Sequence, residues 1–441
     1  MMIGYEDALA ATLAALEPLQ PAEMAPLWEL TGRVTAQDLF AQDDAPTADV
    51  SLKDGYAVQS AAVAQAAPDR PVPLRLAGQV AAGGVYAGQV GQGTTVRILS
   101  GAPLPAGTDA VLAEEFARRE GEIILALADA AVGRNVARRG SELAAGQRII
   151  PAGTVLRPAQ IGLLAAAGYS EAPVVRRPRV GIVATGDEVV GLPDRTKRLK
   201  AGQVFASNLA TIAAWCTHYG MPTSGTMAAD DPVALTAALL DALAKNDAVI
   251  TSGGAWSGEH DLVAGTLAGL GWRKVYHRVR LGPGKGAGFG IWQGKPVFIL
   301  PGGPASNQMA FLQLALPGLH RLMGAPHPGL PLRPARLATA ISGQRDWTQF
   351  VEGRFEWHDG ELWFVPARAP SRLRSMADCE CYVKIPEGTE TLAAGALVFA
   401  QVLPDVPALQ LTRPDDLLPL DPPAVRAGHA VGVIPAGRLA V

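Results

Sequence analysis

Between residues 180 and 306 the chain carries three apolar runs that each end in a glycine-bearing loop, and this pattern constrains the fold more than any other feature. The runs are VGIVATGDE, DAVITSGG and KPVFILPGGPAS. Unbroken apolar runs of this length are typical of strands buried on both faces, as in a parallel sheet covered by helices. Two stretches with helical spacing, SNLATIAAWCTHYG and DPVALTAALLDALAKN, separate the first run from the second. The sequence therefore predicts an α/β domain.

The loops after these runs carry polar groups that are able to bind a ligand. Ligands of α/β sheets collect at the carboxyl ends of the strands. Glycine N–H groups there can cradle phosphate oxygens, and the carboxylates of Asp187, Glu188 and Asp261 can bind a Mg²⁺ that neutralises the phosphate charge. A single loop of this kind is ordinary turn chemistry, but three at one sheet edge predict an anion-binding site.

The sequence leaves two roles open for some other polar residues near these loops. Lys285, in LGPGKGAGF, either contacts the anion or is a solvated turn lysine. Asp230 and Asp231 precede a helix, so we expect one of them to cap it and leave the other open to a ligand. His260 has no serine or cysteine that can be placed beside it, and no catalytic triad is predicted.

The residues before and after the α/β segment follow a different pattern. Short alternating runs broken by glycine and proline fill residues 54–135 and return after about residue 326, and they predict β-rich domains. Helical spacing in YEDALAATLAALEPL and in PAEMAPLWELTGRVTAQDL predicts two N-terminal helices. The chain is therefore expected to be a multidomain α/β and β protein. Its predicted parts are residues 1–45 with 140–176 (N-terminal helical and linker domain), 46–139 (small β-rich domain), 177–326 (α/β domain), 327–403 (C-terminal β domain) and 404–441 (tail).

Composition argues against several classes of protein. A net charge of −3 gives no electrostatic footprint for nucleic acid, and no apolar stretch reaches the roughly 18 residues of a membrane span. Three cysteines without CxxC spacing, and a start without a basic and apolar signal segment, predict a cytoplasmic protein. If ADCECYV is a strand, Cys379 and Cys381 lie on one side of it, where a core role is favoured over metal binding.

Several spaced motifs extend the pattern along the chain. They are DGYAV (54–58), RILSGAPLPAGTDAV (97–111), RRPRVGIVATGDEVV (176–190), ASNLATI (206–212), SGG with Gly258 and Asp261, and LPGGPAS (300–306). Together they resemble the MoeA and gephyrin E-domain family, the molybdopterin molybdenumtransferases, in the same order from about residue 5 to about residue 403. The resemblance implies an elongated protein of four domains, usually a homodimer, with a central molybdopterin-binding domain.

The resemblance also implies a reaction. Adenylylated molybdopterin is bound, molybdate is delivered to its dithiolene, and the adenylyl bond is cleaved with Mg²⁺ present, so that AMP and the molybdenum cofactor are released. An apo-molybdoenzyme is then the acceptor of the cofactor. The acidic glycine-bearing loops suit this task, because a pyrophosphate linkage needs a metal and N–H donors.

The family pattern assigns expected roles to individual residues. Asp54, Glu188 and Asp261 are the expected catalytic residues and Mg²⁺ ligands, and Asp54 reaches into the active cleft from the small β domain rather than only forming an Asp-Gly turn. The expected cofactor-binding residues are loop and hydroxyl residues of the same cleft: Ser100, Thr185, Gly186, Asp187, Asp230, Ser252, Gly253, Gly254, Gly258, Lys285, Pro301, Gly302 and Pro304.

Five positions depart from the family pattern, one of them Gly303, where PGNP becomes PGGP. Lys53 replaces the methionine of MDGYA, Trp256 takes the serine place of SGGxSxG, Gly282 replaces a lysine of KPGKP, and Glu352 aligns with a basic residue. Fewer positive charges where the family holds molybdate weaken the capture of an oxyanion. Two alternatives therefore stay open beside the insertase: a molybdopterin carrier or enzyme-specific chaperone with weak or no insertase activity, and a scaffold that uses the fold for protein contacts.

Overall fold

The central sheet forms because its core strands are apolar on both faces. The computed structural model describes residues 2–191, 198–254, 262–367 and 371–404, and the predicted residues Gly258, Asp261 and Trp256 lie outside this part of the chain. The sheet order is β17-β14-β18-β22-β21-β19, with the first four strands parallel and the last two antiparallel. The elements between residues 180 and 322 are β14 (Val180–Thr185), β15 (Val189–Val190), β16 (Val204–Phe205), α4 (Ser207–His218), β17 (Thr223–Ala228), α5 (Pro232–Lys245), β18 (Ala248–Ser252), α6 (Leu262–Gly269), β19 (Arg273–His277), β20 (Val279–Gly282), β21 (Gly288–Trp292), β22 (Lys295–Leu300), α7 (Pro304–Ala310), a π-helix (Phe311–Ala315) and α8 (Leu316–Leu322).

Alternate residues of the central strands pack into two separate cores. Val183 and Val249 belong to the core that includes residues of α5 and α6, whereas Ile182 and Ile250 belong to the core that includes residues of α4 and α8. The α/β prediction is confirmed, because both faces of this sheet are covered as the unbroken apolar runs require.

The N-terminal region contains one of the two predicted helices. Its elements are β1 (Ile3–Gly4), α1 (Tyr5–Ala14), β2 (Glu23–Pro26), a 3₁₀ turn (Leu27–Glu29), β3 (Leu39–Phe40), β12 (Arg148–Ile150), α3 (Pro158–Ala166) and β13 (Glu171–Val174). The second predicted helix is wrong, because β2 lies extended and pairs with β13, which buries Ala25. Pro26 ends this strand, and a proline disfavours helix at the residue before it. Helix α1 packs on α8.

The small β domain is a six-stranded sheet in the order β8-β5-β7-β6-β10-β9. Its elements are β4 (Val50–Ser51), β5 (Gly55–Val58), α2 (Ser60–Val63), β6 (Val72–Val80), β7 (Thr94–Ile98), β8 (Ala110–Ala113), a 3₁₀ turn (Glu114–Phe116), β9 (Ala117–Glu120), β10 (Ile123–Ala126) and β11 (Val136–Ala137). The motif DGYAV therefore begins an inner strand of this sheet, and Asp54 directly precedes that strand.

The C-terminal region is a closed β-barrel of five strands in the order β25-β26-β23-β29-β27, which closes through the pairing of β27 with β25. Its elements are β23 (Leu332–Leu337), β24 (Ile341–Ser342), β25 (Thr348–His358), β26 (Glu361–Pro366), α9 (Arg372–Asp378), β27 (Cys381–Ile385), β28 (Thr391–Leu392) and β29 (Leu397–Val402). Strand β20 extends the sheet from the edge of β25. In the described residues, no helix has both the length and the apolar character needed to span a bilayer.

The two C-terminal cysteines have core positions, but not as neighbours on one strand. Strand β27 begins at Cys381, so Cys379 precedes it and the period-two alternation does not relate the two thiols. Cys379 packs with the core of the α/β domain, and Cys381 packs inside the barrel. Burial is the main cause that raises the pKa of Cys379, to about 11. Both side chains are therefore neutral, buried thiols at neutral pH.

Candidate active site

A cleft of about 1870 Å³ opens at the carboxyl ends of β14, β18 and β22. Each of these strands contributes its loop to the cleft wall. The sequence-predicted residues that line it are Thr185, Gly186, Glu188, Asp230, Ser252, Gly253, Gly254, Pro301, Gly302 and Pro304. One residue of the C-terminal region, Leu373 of α9, also lines the cleft. The three glycine-bearing loops thus meet at one edge of the sheet, as strand ends in a parallel sheet must.

The glycines allow these loops to approach each other backbone to backbone. Gly253 has φ +102°, and a Cβ at this position would lie 2.3 Å from the carbonyl oxygen of Thr185. Gly186 has φ +136°, and its Cβ would lie 2.6 Å from the carboxylate oxygen Oε2 of Glu188. A side chain at either position would strain the backbone; at Gly253 it would also push the loops after β14 and β18 apart, and at Gly186 it would displace the Glu188 carboxylate. At these loops the cleft wall is therefore built from closely spaced backbone with few side chains, a kind of loop that suits an anionic ligand.

Acidic residues gather on one side of the cleft. Asp230 donates its backbone N–H to the Oδ1 of Asp187 at 3.0 Å. Burial is the main cause that raises the pKa of Asp230 above its usual range, and the negative charges of Asp187 and Glu188 add to the rise. The neighbouring Asp231 caps α5 by accepting the N–H groups of Val233 and Ala234 at 3.1 and 2.8 Å. The expectation that one aspartate of the pair caps the helix is confirmed, and Asp230 faces the cleft.

The donor chemistry on this side suits a hard cation. Carboxylate oxygens are what Mg²⁺ prefers, and it usually binds through one or two protein carboxylates together with phosphate oxygens and waters. Among the described residues, no group of three or more histidine, cysteine, aspartate or glutamate side chains could hold a metal by itself. Glu188 and Asp230 therefore fit Mg²⁺ as part of a shell that the ligand completes.

Lys285 lies in an adjoining pocket of about 310 Å³ rather than in the cleft. Its ammonium nitrogen is 5.8 Å from the centre of the Trp347 ring, at cation–π distance. Pro301 lines both spaces, so the pocket and the cleft share a wall. Gly282 also lines the pocket, and a Cβ at this position would lie 3.1 Å from the Cγ of Gln349.

Asp54 and Ser100 are brought together, but not with the acidic residues of the cleft. The Oδ1 of Asp54 accepts the backbone N–H of Ser100 at 2.7 Å. In the described parts of the chain, none of the residues that line the cleft belongs to 46–139. Lys53 is exposed on the same small domain. Among the described residues, the cleft of one copy therefore contains Glu188 but not Asp54.

Glu352 does not line the Lys285 pocket. Its carboxylate accepts a hydrogen bond from the hydroxyl of Ser375 on α9. Two asparagines that no role was predicted for, Asn208 and Asn307, both contact Ser252 at the cleft. The signal that could have found them is their position in the first turn of α4, which begins within ASN, and of α7, which begins at the end of PGGP.

The fold and the cleft define a multidomain protein built around a ligand-binding α/β domain, and comparison with known proteins gives its family. Residues 3–168 match the MoeA N-terminal region (domain I and II), residues 181–321 match a probable molybdopterin binding domain, and residues 334–403 match the MoeA C-terminal region (domain IV). The chain belongs to the MoeA family, as the resemblance in the sequence indicated.

Curated relatives and solved structures agree with this assignment. Molybdopterin molybdenumtransferase 2 of Mycobacterium tuberculosis is 31% identical and aligns with 89% of this chain and 96% of its own length. Molybdopterin molybdenumtransferase of Nostoc sp. is 30% identical, with 88% of this chain and 90% of that protein aligned. A molybdopterin biosynthesis MoeA protein from Pyrococcus horikoshii superposes with a TM-score of 0.77 at 26% identity, over 91% of this chain and 100% of that one.

Proposed function

We propose that this protein inserts molybdenum from molybdate into adenylylated molybdopterin and releases AMP, as a transferase of molybdenum cofactor biosynthesis. The observation that carries the proposal is the cleft, where three glycine-bearing loops meet the carboxylates of Glu188 and Asp230. This cleft lies in the region that matches the molybdopterin-binding family. The names of the curated relatives support the same activity.

In this proposal the cleft binds the pterin and its two linked phosphates. Backbone N–H groups of the loops at Gly186 and Gly302 approach the phosphate oxygens, whereas the N–H of Gly253 donates to the carbonyl oxygen of Leu300 at 3.2 Å. Glu188 and Asp230, with Asp261, would hold Mg²⁺. When bound there, the ion would neutralise negative charge on the phosphates.

Molybdate, in this proposal, occupies the pocket of Lys285. Lys285 lines this pocket together with Gln344 and Gln349, and a lysine cation suits a small oxyanion. Because Pro301 lines both spaces, an anion in the pocket lies next to the cleft. Glu352 is compatible with the insertase, because its carboxylate accepts a hydrogen bond from Ser375 and does not line the pocket.

We also propose a homodimer in which Asp54 of one copy completes the cleft of the other. The family resemblance gives Asp54 a role in the cleft, whereas the cleft of a single copy has no lining residue from the small β domain in the described chain. Asp54 is exposed and therefore available to a second copy. Met24 and Trp28, which are 54% and 51% exposed, supply apolar surface suited to an interface. An apo-molybdoenzyme as acceptor and a cytoplasmic location are parts of the same proposal.

A single-turnover assay tests the proposed function. Purified protein is mixed with adenylylated molybdopterin, Mg²⁺ and molybdate at low and high concentration, and both AMP release and activation of an apo-molybdoenzyme are followed. Release of AMP with active cofactor is the expected result. Tight pterin binding without AMP at any molybdate concentration would overturn the insertase and leave the carrier. Absence of pterin binding would leave only the scaffold.

A further inference from the structure

Ser252 sits at the end of β18 with its hydroxyl oxygen between two asparagine amides. The Nδ2 of Asn208, in the first turn of α4, donates to the Oγ of Ser252 at 3.2 Å. The Nδ2 of Asn307, in the first turn of α7, donates to the same oxygen at 3.0 Å. Ser252 is 4% exposed and Asn307 is 1% exposed, yet Ser252 is one of the residues that line the cleft.

The orientation of both amides is fixed by their second hydrogen bonds. Asn208 donates to the carbonyl oxygen of Gly302 at 2.8 Å, and Asn307 donates to the carbonyl oxygen of Pro301 at 2.8 Å. A carbonyl oxygen can only accept, so the NH₂ group and not the amide oxygen must face it. The other hydrogen of each NH₂ group then points at Ser252. The two asparagines also join the loop after β22 to the end of β18.

In this arrangement the hydroxyl of Ser252 can make one more hydrogen bond, as a donor. A hydroxyl has two lone pairs and one proton, and both lone pairs accept from the asparagines. The proton must therefore donate, and among the described residues the structure gives it no acceptor. A nearly buried donor without a partner at a ligand cleft is costly unless a ligand satisfies it.

We propose that Asn208 and Asn307 are positioning residues that hold Ser252 as a one-way hydrogen-bond donor to an anionic oxygen of the cleft ligand. The inference rests on the proposed function, in which the acceptor is a phosphate oxygen of adenylylated molybdopterin. Ser252 lies among the glycine-bearing loops that line the cleft, and an oxyanion is the ligand chemistry that suits both such loops and a hydroxyl donor. A neutral or cationic group would leave the Ser252 proton without a strong acceptor.

Binding of the adenylylated pterin is measured with Mg²⁺ but without molybdate, so that affinity and not turnover is read. Ser252→Ala removes the donor, and we expect affinity to fall by about ten- to a hundredfold, the range for a hydrogen bond to a charged group. Ser252→Thr keeps the hydroxyl and is expected to retain most of the affinity. Asn208→Asp replaces a donor by an acceptor, so Ser252 turns its proton toward the carboxylate and loses it for the ligand. A similar fall in affinity is expected.

A double-mutant cycle separates positioning from charge and from loop distortion. In a Ser252→Ala background, Asn208→Asp is expected to cause a much smaller further loss, because the hydroxyl it redirects is gone. The same loss in both backgrounds would overturn the positioning role. Unchanged affinity of Ser252→Ala, with wild-type protein binding normally, would also overturn it. Absence of pterin binding by the wild type would overturn the proposed function and this inference together.

Asn246→Asp is the matched control. Asn246 is 6% exposed, and its amide donates to the hydroxyl of Ser224 at 3.0 Å and to the carbonyl of Ala242 at 2.9 Å. It therefore repeats the chemistry of Asn208 in the same domain without lining the cleft. We expect this variant to lower the melting temperature while leaving pterin affinity unchanged. An equal loss of affinity in Asn246→Asp would assign the effect to general destabilisation and overturn the inference.

Discussion

Glu352 accepts a hydrogen bond from the hydroxyl of Ser375, and this contact ties strand β25 of the barrel to helix α9. Helix α9 also packs on α7, which begins at the PGGP loop, and its residue Leu373 lines the cleft. The carboxylate that stands where the family has a basic residue thus holds a C-terminal helix against the ligand-binding domain. The departure has a structural consequence for the cleft mouth as well as an electrostatic one.

Glu352→Ala should loosen helix α9. Loss of one partner of a half-buried hydrogen bond lowers the free energy of unfolding by about 1 kcal/mol. Because Leu373 lines the cleft, we expect KM for the pterin substrate to rise while kcat changes less. Glu352→Gln, which keeps an acceptor for Ser375, serves as the control and should resemble wild type. Steady-state kinetics and chemical denaturation measure both effects, and an equal change in the two variants would contradict the explanation.

The central sheet could be predicted because a strand buried on both faces has an unbroken apolar run. Val183 and Ile182, which are adjacent on β14, pack into two different cores. The segment around Met24 was assigned the wrong structure because its partner, β13, lies far away in sequence. The position of Asp54 relative to Glu188 could not be predicted, because it depends on how the domains, and in our proposal two copies, are arranged. The contacts of Asn208 could not be predicted because they are made to Ser252 and Gly302, at the ends of two other segments of the sheet.

Protonation of His320 should weaken the fold at low pH. The side chain is 7% exposed, and its Nδ1 accepts the N–H of Gly329 at 3.1 Å. The centres of the His320 and Tyr219 rings are 4.5 Å apart. Burial lowers the pKa of His320 to about 4. The unfolded chain takes up this proton near pH 6.5, whereas the folded chain resists it. The stabilisation is therefore complete above about pH 6.5 and is lost toward pH 4, by about 3 kcal/mol at most.

The pH dependence of unfolding in two variants checks this assignment. His320→Asn keeps an acceptor for Gly329 but removes the titrating group, so its free energy of unfolding should fall less between pH 6.5 and 4 than that of wild type. His327 is exposed, and His327→Asn should follow the wild-type pH profile. Parallel profiles for wild type and His320→Asn would contradict the prediction.

Gly253→Ala should damage the cleft more than the fold. The substituted residue must keep φ near +102° with its Cβ 2.3 Å from the carbonyl oxygen of Thr185, so the loops after β14 and β18 separate. The strain is worth about 1–3 kcal/mol. We expect loss of most pterin affinity, measured by titration calorimetry. Gly162 lies inside α3 with no atom within 4 Å of an added Cβ, and Gly162→Ala should stabilise the helix by roughly 0.5–1 kcal/mol with normal binding.

A second cation in the Lys285 pocket should lower the concentration of molybdate at which the protein is half-saturated. Gly282→Lys restores the charge, and Gln349→Ala makes room for it, since the Gln349 side chain lies 3.1 Å from the position of the new Cβ. At an effective dielectric of about 20, an added charge within a few ångströms of a dianion lowers the half-saturating molybdate concentration by about tenfold or more. Gly282→Gln with Gln349→Ala adds similar bulk without charge. An equal improvement in this pair would exclude the electrostatic explanation, as would an effect insensitive to salt.

Mixed dimers should reveal whether Asp54 acts across the subunit boundary. Asp54→Asn and Glu188→Gln are each expected to abolish AMP release in a homodimer. If each cleft takes its Asp54 from the other copy, a heterodimer of these two variants contains one cleft with both carboxylates intact. Co-expression with two different affinity tags yields this heterodimer pure, and it should show about half of the wild-type AMP release per dimer.

The reciprocal pairing is the decisive control. A heterodimer of the wild type with an Asp54→Asn/Glu188→Gln double variant has no complete cleft if Asp54 is shared, because the intact Glu188 then faces the altered Asp54 position. It should be nearly inactive. If each copy instead built its site alone, this second heterodimer would keep about half of the activity and the first would have none. The two proteins thus give opposite results under the two arrangements, and their total composition of altered residues is the same.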